Sequence, residues 1–151
     1  KKLNLGFIDT DSEIEKKCKK KIPEIFKTHG EKYFRKKEEK IILNILSNNK
    51  SNILALGGGS FLNKKIQREI LKKTISIWLK PSFNIIYKRC KNSYNRPLLK
   101  NNNNLKITLK EIIKDRYPVY SKANIKIEKN GKPIELCNTI IKKLNKENLF
   151  R

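Results

Sequence analysis

Ile53-Leu54-Ala55-Leu56-Gly57-Gly58-Gly59-Ser60-Phe61 is the stretch that most directly decides the fold. Its first four residues are apolar without alternation, which predicts a strand buried on both faces of a sheet. Three glycines follow, and their bare backbone lets a ligand approach the N–H groups of Gly57, Gly58 and Gly59 closely. In an open α/β sheet, ligands bind just beyond the carboxyl ends of the strands. The stretch therefore predicts a ligand site at a strand end, with a flexible strand-to-helix turn as the alternative.

Strands and helices are predicted to alternate along the rest of the chain. Further strands are expected at 5–8, 74–79 and 125–127, and helices at 21–26, 31–46, 63–73, 81–90, 108–120 and 134–144. Ser12 is expected to cap a helix that follows the first strand. This alternation indicates βαβ units and a parallel sheet with helices on both faces. A length of 151 residues predicts a single domain, 1–151, with one core.

The net charge of +23 would suit a polyanionic partner such as nucleic acid, a membrane surface or a phosphorylated ligand. The excess is nearly all lysine and is spread along the whole chain rather than gathered into a basic patch. It therefore does not indicate a specific nucleic-acid partner. No apolar run approaches the length of a membrane span, and no signal peptide is visible.

The cysteines Cys18, Cys90 and Cys137 show no metal-binding or redox spacing. We expect them to be reduced and packed, which favours a cytoplasmic protein. The chain begins at Lys1 and contains no methionine, so we also expect its true N-terminus to be missing.

Two groups of charged residues are candidates for chemistry. Asp9 and Asp11 follow the first predicted strand, where such a pair serves a hydrated magnesium ion, a substrate hydroxyl or both; a solvated turn and helix cap is the alternative. Arginine is rare in this lysine-rich chain, and its planar fork suits phosphate or carboxylate. Arg35 and Glu38 are three residues apart on a predicted helix and can pair there, with an ordinary surface ion pair as the alternative.

Taken together, the motifs resemble those of the shikimate kinase family. In order, they are Phe7-Ile8-Asp9-Thr10-Asp11, Ile14-Glu15, Ile25-Phe26, Gly30-Glu31, Phe34-Arg35-Lys36-Lys37-Glu38, Leu56-Gly57-Gly58-Gly59, Trp78-Leu79, Arg89, Arg96-Pro97-Leu98-Leu99 and Arg116-Tyr117-Pro118-Val119-Tyr120. The resemblance covers nearly the whole chain. It implies a three-layer P-loop kinase-like fold of the nucleoside-monophosphate-kinase type, with a parallel sheet that lacks its first strand. It also implies transfer of the ATP γ-phosphate to the 3-hydroxyl of shikimate, a step of aromatic amino-acid biosynthesis.

The same resemblance implies a role for each candidate residue. Asp11 would hold the shikimate hydroxyls and accept a proton, and Asp9 would help to hold Mg²⁺ through water. Shikimate would also be bound by Arg35, Arg116, Glu38, Gly57, Gly58, Gly59, Phe26, Phe34, Pro97 and Leu98. Arg96, in a lid at 91–104, would reach the transferring phosphates. Arg89 and Pro133 would contact the adenine of ATP.

One departure from the family pattern is a missing phosphate-binding loop, G-x-x-G-x-G-K-[ST], ahead of Asp9. We therefore expect residues 1–151 alone to bind ATP weakly and to be less stable than a complete enzyme. A monomeric, cytoplasmic shikimate kinase is the interpretation that fits best. A catalytically inactive binding module, a kinase for another small metabolite such as gluconate, and a basic nucleic-acid-binding protein are the alternatives.

Overall fold

The computed structural model describes residues 4–48, 50–91 and 104–147. The chain divides into two compact units, Lys1–Lys73 and Thr74–Arg151, here called unit 1 and unit 2. Each unit contains one pair of parallel strands among its described residues. The predicted alternation of strands and helices is therefore present in both.

Unit 1 opens with a strand and a helix and returns to a second strand after a long helix. Its elements are β1 (Gly6–Asp9), α1 (Thr10–Cys18), α2 (Ile22–Ser47), β2 (Asn52–Ala55), a 3-10 turn (Ser60–Leu62) and α3 (Lys64–Lys73). Strands β1 and β2 are parallel and in register from Gly6 opposite Asn52 to Asp9 opposite Ala55. Because both strands end at the same level, the residues that follow Asp9 and Ala55 emerge side by side.

The prediction that β2 is buried on both faces is wrong for the described residues. Ile53 is 44% exposed, and Phe7 on the neighbouring strand is 67% exposed. Helix α1 packs against β1, whereas helix cover over β2 is slight in the described part of unit 1. An apolar run marks the strand correctly, but the run cannot tell how many helices cover its faces.

Helix α1 begins earlier than expected because its cap is Asp9 rather than Ser12. The Asp9 Oδ1 atom accepts hydrogen bonds from the backbone N–H groups of Asp11, at 2.9 Å, and Ser12, at 3.2 Å. A carboxylate in this position satisfies two of the N–H groups that the first helical turn leaves without partners. The prediction of a Ser12 cap is therefore wrong, and the alternative of a helix cap at the aspartate pair is confirmed for Asp9.

Helix α2 is two helical segments joined at Gly30, as the sequence predicts. Gly30 has φ 76° and ψ 171°, a conformation that glycine adopts without strain, and Pro23 lies in the first turn. The second segment buries Phe34, Ile41 and Ile42. These apolar residues follow helical spacing and form one face of the core of unit 1.

Unit 2 repeats the pattern of strand and helix. Its elements are β3 (Ile77–Leu79), α4 (Phe83–Lys91), α5 (Leu105–Tyr120), β4 (Ile125–Ile127) and α6 (Pro133–Lys146). Strands β3 and β4 are parallel, and Ile125, Ile127 and Leu144 form the buried core between β4 and α6. Helix α5 begins three residues before the predicted Thr108, because the Asn104 side chain accepts hydrogen bonds from the N–H groups of Lys106 and Ile107.

The cysteines only partly follow expectation. Cys90 is buried and Cys18 is half-buried, but Cys137 is exposed, so the prediction that all three are packed is wrong for Cys137. None of the helices in the described ranges has the length and apolar character that a bilayer-spanning segment requires.

Candidate active site

The ends of β1 and β2 are tied together by a hydrogen bond between Thr10 and Gly57. The Gly57 N–H donates to the Thr10 hydroxyl at 3.2 Å, and Thr10 is completely buried. The bond joins residues 47 positions apart in the chain. It holds the first glycine of the triplet against the start of α1, next to Asp11.

Asp11 and Gly57 are in close contact at this point. A β-carbon added to Gly57 would lie 2.8 Å from Asp11 Oδ1 and 3.3 Å from Glu38 Oε1, closer than side chains normally allow. Burial, together with the negative charges of Asp9 and Glu38, raises the pKa of the Asp11 carboxyl. Asp11 is therefore a better proton acceptor than an ordinary aspartate.

Arg35 and Glu38 form an ion pair that is largely buried. The Arg35 Nη1 group donates to Glu38 Oε2 at 2.7 Å, and Glu38 is 2% exposed. The alternative of an ordinary surface pair is wrong for this reason. Burial opposes the charge on Arg35, but the carboxylates of Glu38 and Glu31 outweigh it and raise the pKa of Arg35.

The third glycine of the triplet lies against the Arg35 guanidinium. A β-carbon added to Gly59 would be 2.6 Å from Arg35 Nη2 and 2.7 Å from Nη1. The guanidinium is also bonded by Glu31, whose Oε1 atom accepts from both Nε and Nη2 at 3.2 Å. Gly58, the middle glycine, is exposed. Asp11, Arg35 and the glycine triplet thus converge on one place in unit 1.

The aromatic candidates flank this place. The rings of Phe26 and Phe34 are 4.8 Å apart, and the Arg35 guanidinium carbon lies 5.1 Å from the centre of the Phe34 ring. Phe34 is buried in the core with Ile14, while Phe26 is partly buried against it. Phe34 therefore supports Arg35 from the core side.

Asp9 is the candidate for a metal site, and that role stays a prediction. The described residues contain no cluster of three or more His, Cys, Asp or Glu side chains that could enclose a metal ion. Mg²⁺ usually keeps several waters and binds one or two carboxylates plus phosphate oxygens, so an enclosing cluster is not required. The negative charge of Asp9 acts on Asp11, which indicates that the two carboxylates lie near each other.

In unit 2, Arg89 lines a small concavity of about 50 Å³ beside the loop between β4 and α6. Lys129, Asn130 and Gly131 of that loop also line it. Pro133 is the first residue of α6 and is exposed. Arg116 is half-buried on α5. The lid candidates Arg96, Pro97 and Leu98 lie outside the described residues.

Three residues of the site were given no role by sequence reasoning. Thr10 bonds the glycine triplet, Ser60 donates to Glu38 at 2.6 Å, and Glu31 bonds Arg35. Thr10 lies between two candidate aspartates, and Ser60 directly follows the third glycine. Their positions inside these motifs were the only sign in the sequence that they belong to the site. Glu31 lies one helical turn before Arg35, a spacing that favours an ion pair.

The model of the shikimate kinase family matches residues 1–145. The chain belongs to the shikimate kinase family. Among curated relatives, the shikimate kinase of Bartonella henselae is 43% identical over 125 residues, which cover 83% of this chain and 59% of the relative. That of Rhodopseudomonas palustris is 40% identical over 134 residues, covering 89% of this chain and 65% of the relative. The chain therefore spans about three fifths of the length of these relatives.

Solved structures agree with the family assignment. A shikimate kinase from Acinetobacter baumannii in complex with shikimate has a TM-score of 0.88 and 30% identity, with 99% of this chain and 83% of that chain covered. A shikimate kinase from Aquifex aeolicus has a TM-score of 0.81 and 30% identity, with 98% of this chain and 86% of that chain covered. The predicted P-loop kinase-like α/β fold is thereby confirmed.

Proposed function

We propose that the protein carrying this chain transfers the γ-phosphoryl group of ATP to the 3-hydroxyl of shikimate. The observation that carries the proposal is the convergence of Asp11, Arg35 and the glycine triplet in a member of this family. Shikimate is a carboxylate with several hydroxyls, and the cluster offers a guanidinium for the former and a carboxylate for the latter. The likeness to an enzyme solved with shikimate supports the same substrate.

In the proposed reaction, the substrate oxygen forms a bond to the γ-phosphorus as the bond to the leaving ADP oxygen breaks. The hydroxyl proton passes to Asp11, whose raised pKa suits that step. Arg35 fixes the substrate carboxylate, because a guanidinium fork can donate two parallel hydrogen bonds. Phosphoryl transfer depends mainly on such positioning and on charge stabilisation.

Further contacts follow from the family resemblance and remain part of the proposal. Arg116 would bind the same carboxylate as Arg35, and the N–H groups of Gly58 and Gly59 would contact the substrate. Phe26, Phe34, Pro97 and Leu98 would line the substrate pocket. Arg96 would stabilise the transferring phosphate. Mg²⁺, held partly by Asp9 through water, would supply positive charge to the phosphate oxygens.

Unit 2 would provide the contact to the nucleotide base. The Arg89 side chain lines a concavity with the loop residues Lys129 and Asn130, and a guanidinium plane can stack on an adenine ring. Pro133, just after that loop, would flank the same base. A monomeric state and a cytoplasmic location complete the proposal.

The test is steady-state turnover of ATP and shikimate by the purified protein that carries this chain, rather than by residues 1–151 alone, with the phosphorylated product identified by ³¹P NMR; this protein is the wild type of every experiment below. Asp11→Asn should abolish product formation, while Asp115→Asn, on the exposed side of α5, should leave it unchanged.

Three other results would favour the alternatives. If gluconate is the preferred acceptor, it replaces shikimate as the proposed substrate. Binding of shikimate without turnover in the wild type would indicate an inactive binding module instead. Salt-sensitive binding of DNA or RNA, with no shikimate binding, would favour the nucleic-acid alternative.

A further inference from the structure

Three side chains form a continuous hydrogen-bonded chain that ends at Arg35. The Ser60 hydroxyl donates to Glu38 Oε1 at 2.6 Å, and Glu38 Oε2 accepts from Arg35 Nη1 at 2.7 Å. Ser60 is fully buried and Glu38 is 2% exposed. Hydrogen bonds to a carboxylate at these distances are the strong, charge-assisted kind.

Ser60 is well placed to fix the orientation of the Glu38 carboxylate. A carboxylate held at one oxygen can turn about its terminal bond, whereas one held at both oxygens has a defined plane. Arg35 is bonded to one oxygen of Glu38 and Ser60 to the other. By fixing the plane of the Glu38 carboxylate, Ser60 therefore fixes the direction of the hydrogen bond that Glu38 accepts from the Arg35 guanidinium.

The same loop supports Arg35 in two ways. Gly59 lies directly against the guanidinium, and the next residue, Ser60, holds its partner Glu38. Glu31 also bonds Arg35, but its side chain is 48% exposed and both bonds measure 3.2 Å. An exposed pair of this kind is too weak and too mobile to define the position of Arg35 by itself.

We propose that Ser60 is a positioning residue that holds Arg35, through Glu38, in the orientation needed to bind the substrate carboxylate. The inference rests on the proposed function only for the identity of that carboxylate. Ser60 itself is fully buried and bonded to Glu38, so in this proposal it takes no part in the phosphoryl transfer step. Loss of the hydroxyl should thus affect substrate affinity and leave the rate of the chemical step nearly unchanged.

The first arm of the test is independent of any substrate. Side-chain ¹H–¹⁵N NMR of the ligand-free protein should resolve Arg35, because this chain contains only six arginines. They are Arg35, Arg68, Arg89, Arg96, Arg116 and Arg151. In the wild type, the held guanidinium should rotate slowly and give separate Nη proton signals. In Ser60→Ala these signals should average, while Ser76→Ala, which removes another bonded hydroxyl in unit 2, should leave them unchanged.

The second arm measures catalysis. Ser60→Ala should raise KM for shikimate about tenfold with little change in kcat, and should not affect the uncharged methyl ester of shikimate. If Ser60→Ala does not fold, Ser60→Cys replaces it, since a thiol has nearly the same shape and is a weak donor.

The outcomes separate the two claims. Unchanged Arg35 signals in the folded variant would overturn the role of Ser60, whatever the activity. Averaged Arg35 signals, together with an equal rise in KM for shikimate and for its methyl ester, would also overturn the role of Ser60. The rise in KM would then not depend on the substrate carboxylate. A wild type that does not turn over shikimate would refute the proposed function, and the NMR arm would still decide whether Ser60 holds Arg35.

Discussion

The guanidinium of Arg35 rests against the backbone of Gly59, so closely that a β-carbon on Gly59 would stand 2.6 Å from Arg35 Nη2. The glycine triplet and the long helix α2 meet at this contact. A guanidinium held by Glu38 on one side and by bare backbone on another has few orientations left. This relationship explains why a glycine, rather than any residue with a side chain, follows Gly58.

Gly59→Ala should therefore displace Arg35 and weaken substrate binding. The added methyl group meets a side chain that Glu38 restrains, so the guanidinium has to shift rather than swing away. We expect KM for shikimate to rise at least tenfold. Gly6→Ala is the matched control, because its methyl group meets only the exposed Asn52 side chain, which can move aside. Equal KM values for Gly59→Ala and the wild type would contradict the contact.

Glu38→Ala should be strongly destabilising. It would leave the Arg35 charge and the buried Ser60 hydroxyl without their shared partner, which costs about 3 kcal/mol of the free energy of unfolding. The neighbouring Glu39→Ala is the control, since Glu39 bonds Asn63 and Lys65 near the surface and its loss should have little effect. Urea unfolding of both variants measures the difference. Similar urea midpoints for the two variants would show that the hydrogen bonds of Glu38 to Arg35 and Ser60 do not stabilise the fold.

Asp11→Asn should abolish activity and yet stabilise the fold at neutral pH. Burial, with the charges of Asp9 and Glu38, raises the pKa of Asp11 in the folded state, so the ionised form disfavours folding above that raised pKa. This penalty disappears as the pH falls below 3.8, the ordinary value, where Asp11 is protonated in both states. Denaturant unfolding across this range should show the variant more stable at pH 7 and its advantage lost in acid. A variant less stable at pH 7 would contradict the environment assigned to Asp11.

Glu31→Gln should improve the binding of an anionic substrate. The Glu31 carboxylate occupies the Nε and Nη2 donors of Arg35 and so competes with a substrate carboxylate for the same guanidinium. We expect KM for shikimate to fall roughly twofold to fivefold, because the competing pair is exposed and weak. Glu24→Gln, in the first segment of α2, is the control and should have no effect. A rise in KM would mean that Glu31 orients Arg35 rather than competing for it.

Much of the site followed from the sequence because its motifs stand at the ends of predictable elements. Asp11 and Gly57 come directly after apolar strands, and parallel strands bring their carboxyl ends together. The pairing of Arg35 with Glu38 followed from helical spacing. Burial was harder to predict, since the exposed Ile53 and the buried Glu38 both depend on which elements pack over them.

Hydrogen bonds between distant segments were beyond sequence reasoning. The link from Ser60 to Glu38 joins residues 22 positions apart, and the link from Gly57 to Thr10 joins residues 47 apart. Neither has a pattern in the sequence, because each depends on the distance between two folded segments. The Asp9 cap was left open by the sequence: a turn and helix cap was the alternative for the aspartate pair, and only the structure shows which residue caps α1.

The central claim is that Arg35 holds the carboxylate of shikimate for phosphorylation from ATP. The most direct measurement is kcat/KM for shikimate and for its methyl ester, in the wild type and in Arg35→Ala, with Arg68→Ala on the exposed side of α3 as the control. We predict that the wild type and the control prefer shikimate by at least tenfold, and that Arg35→Ala loses this preference while still phosphorylating both slowly. The same preference in Arg35→Ala as in the wild type, or no phosphorylation of shikimate by the wild type, would contradict the account.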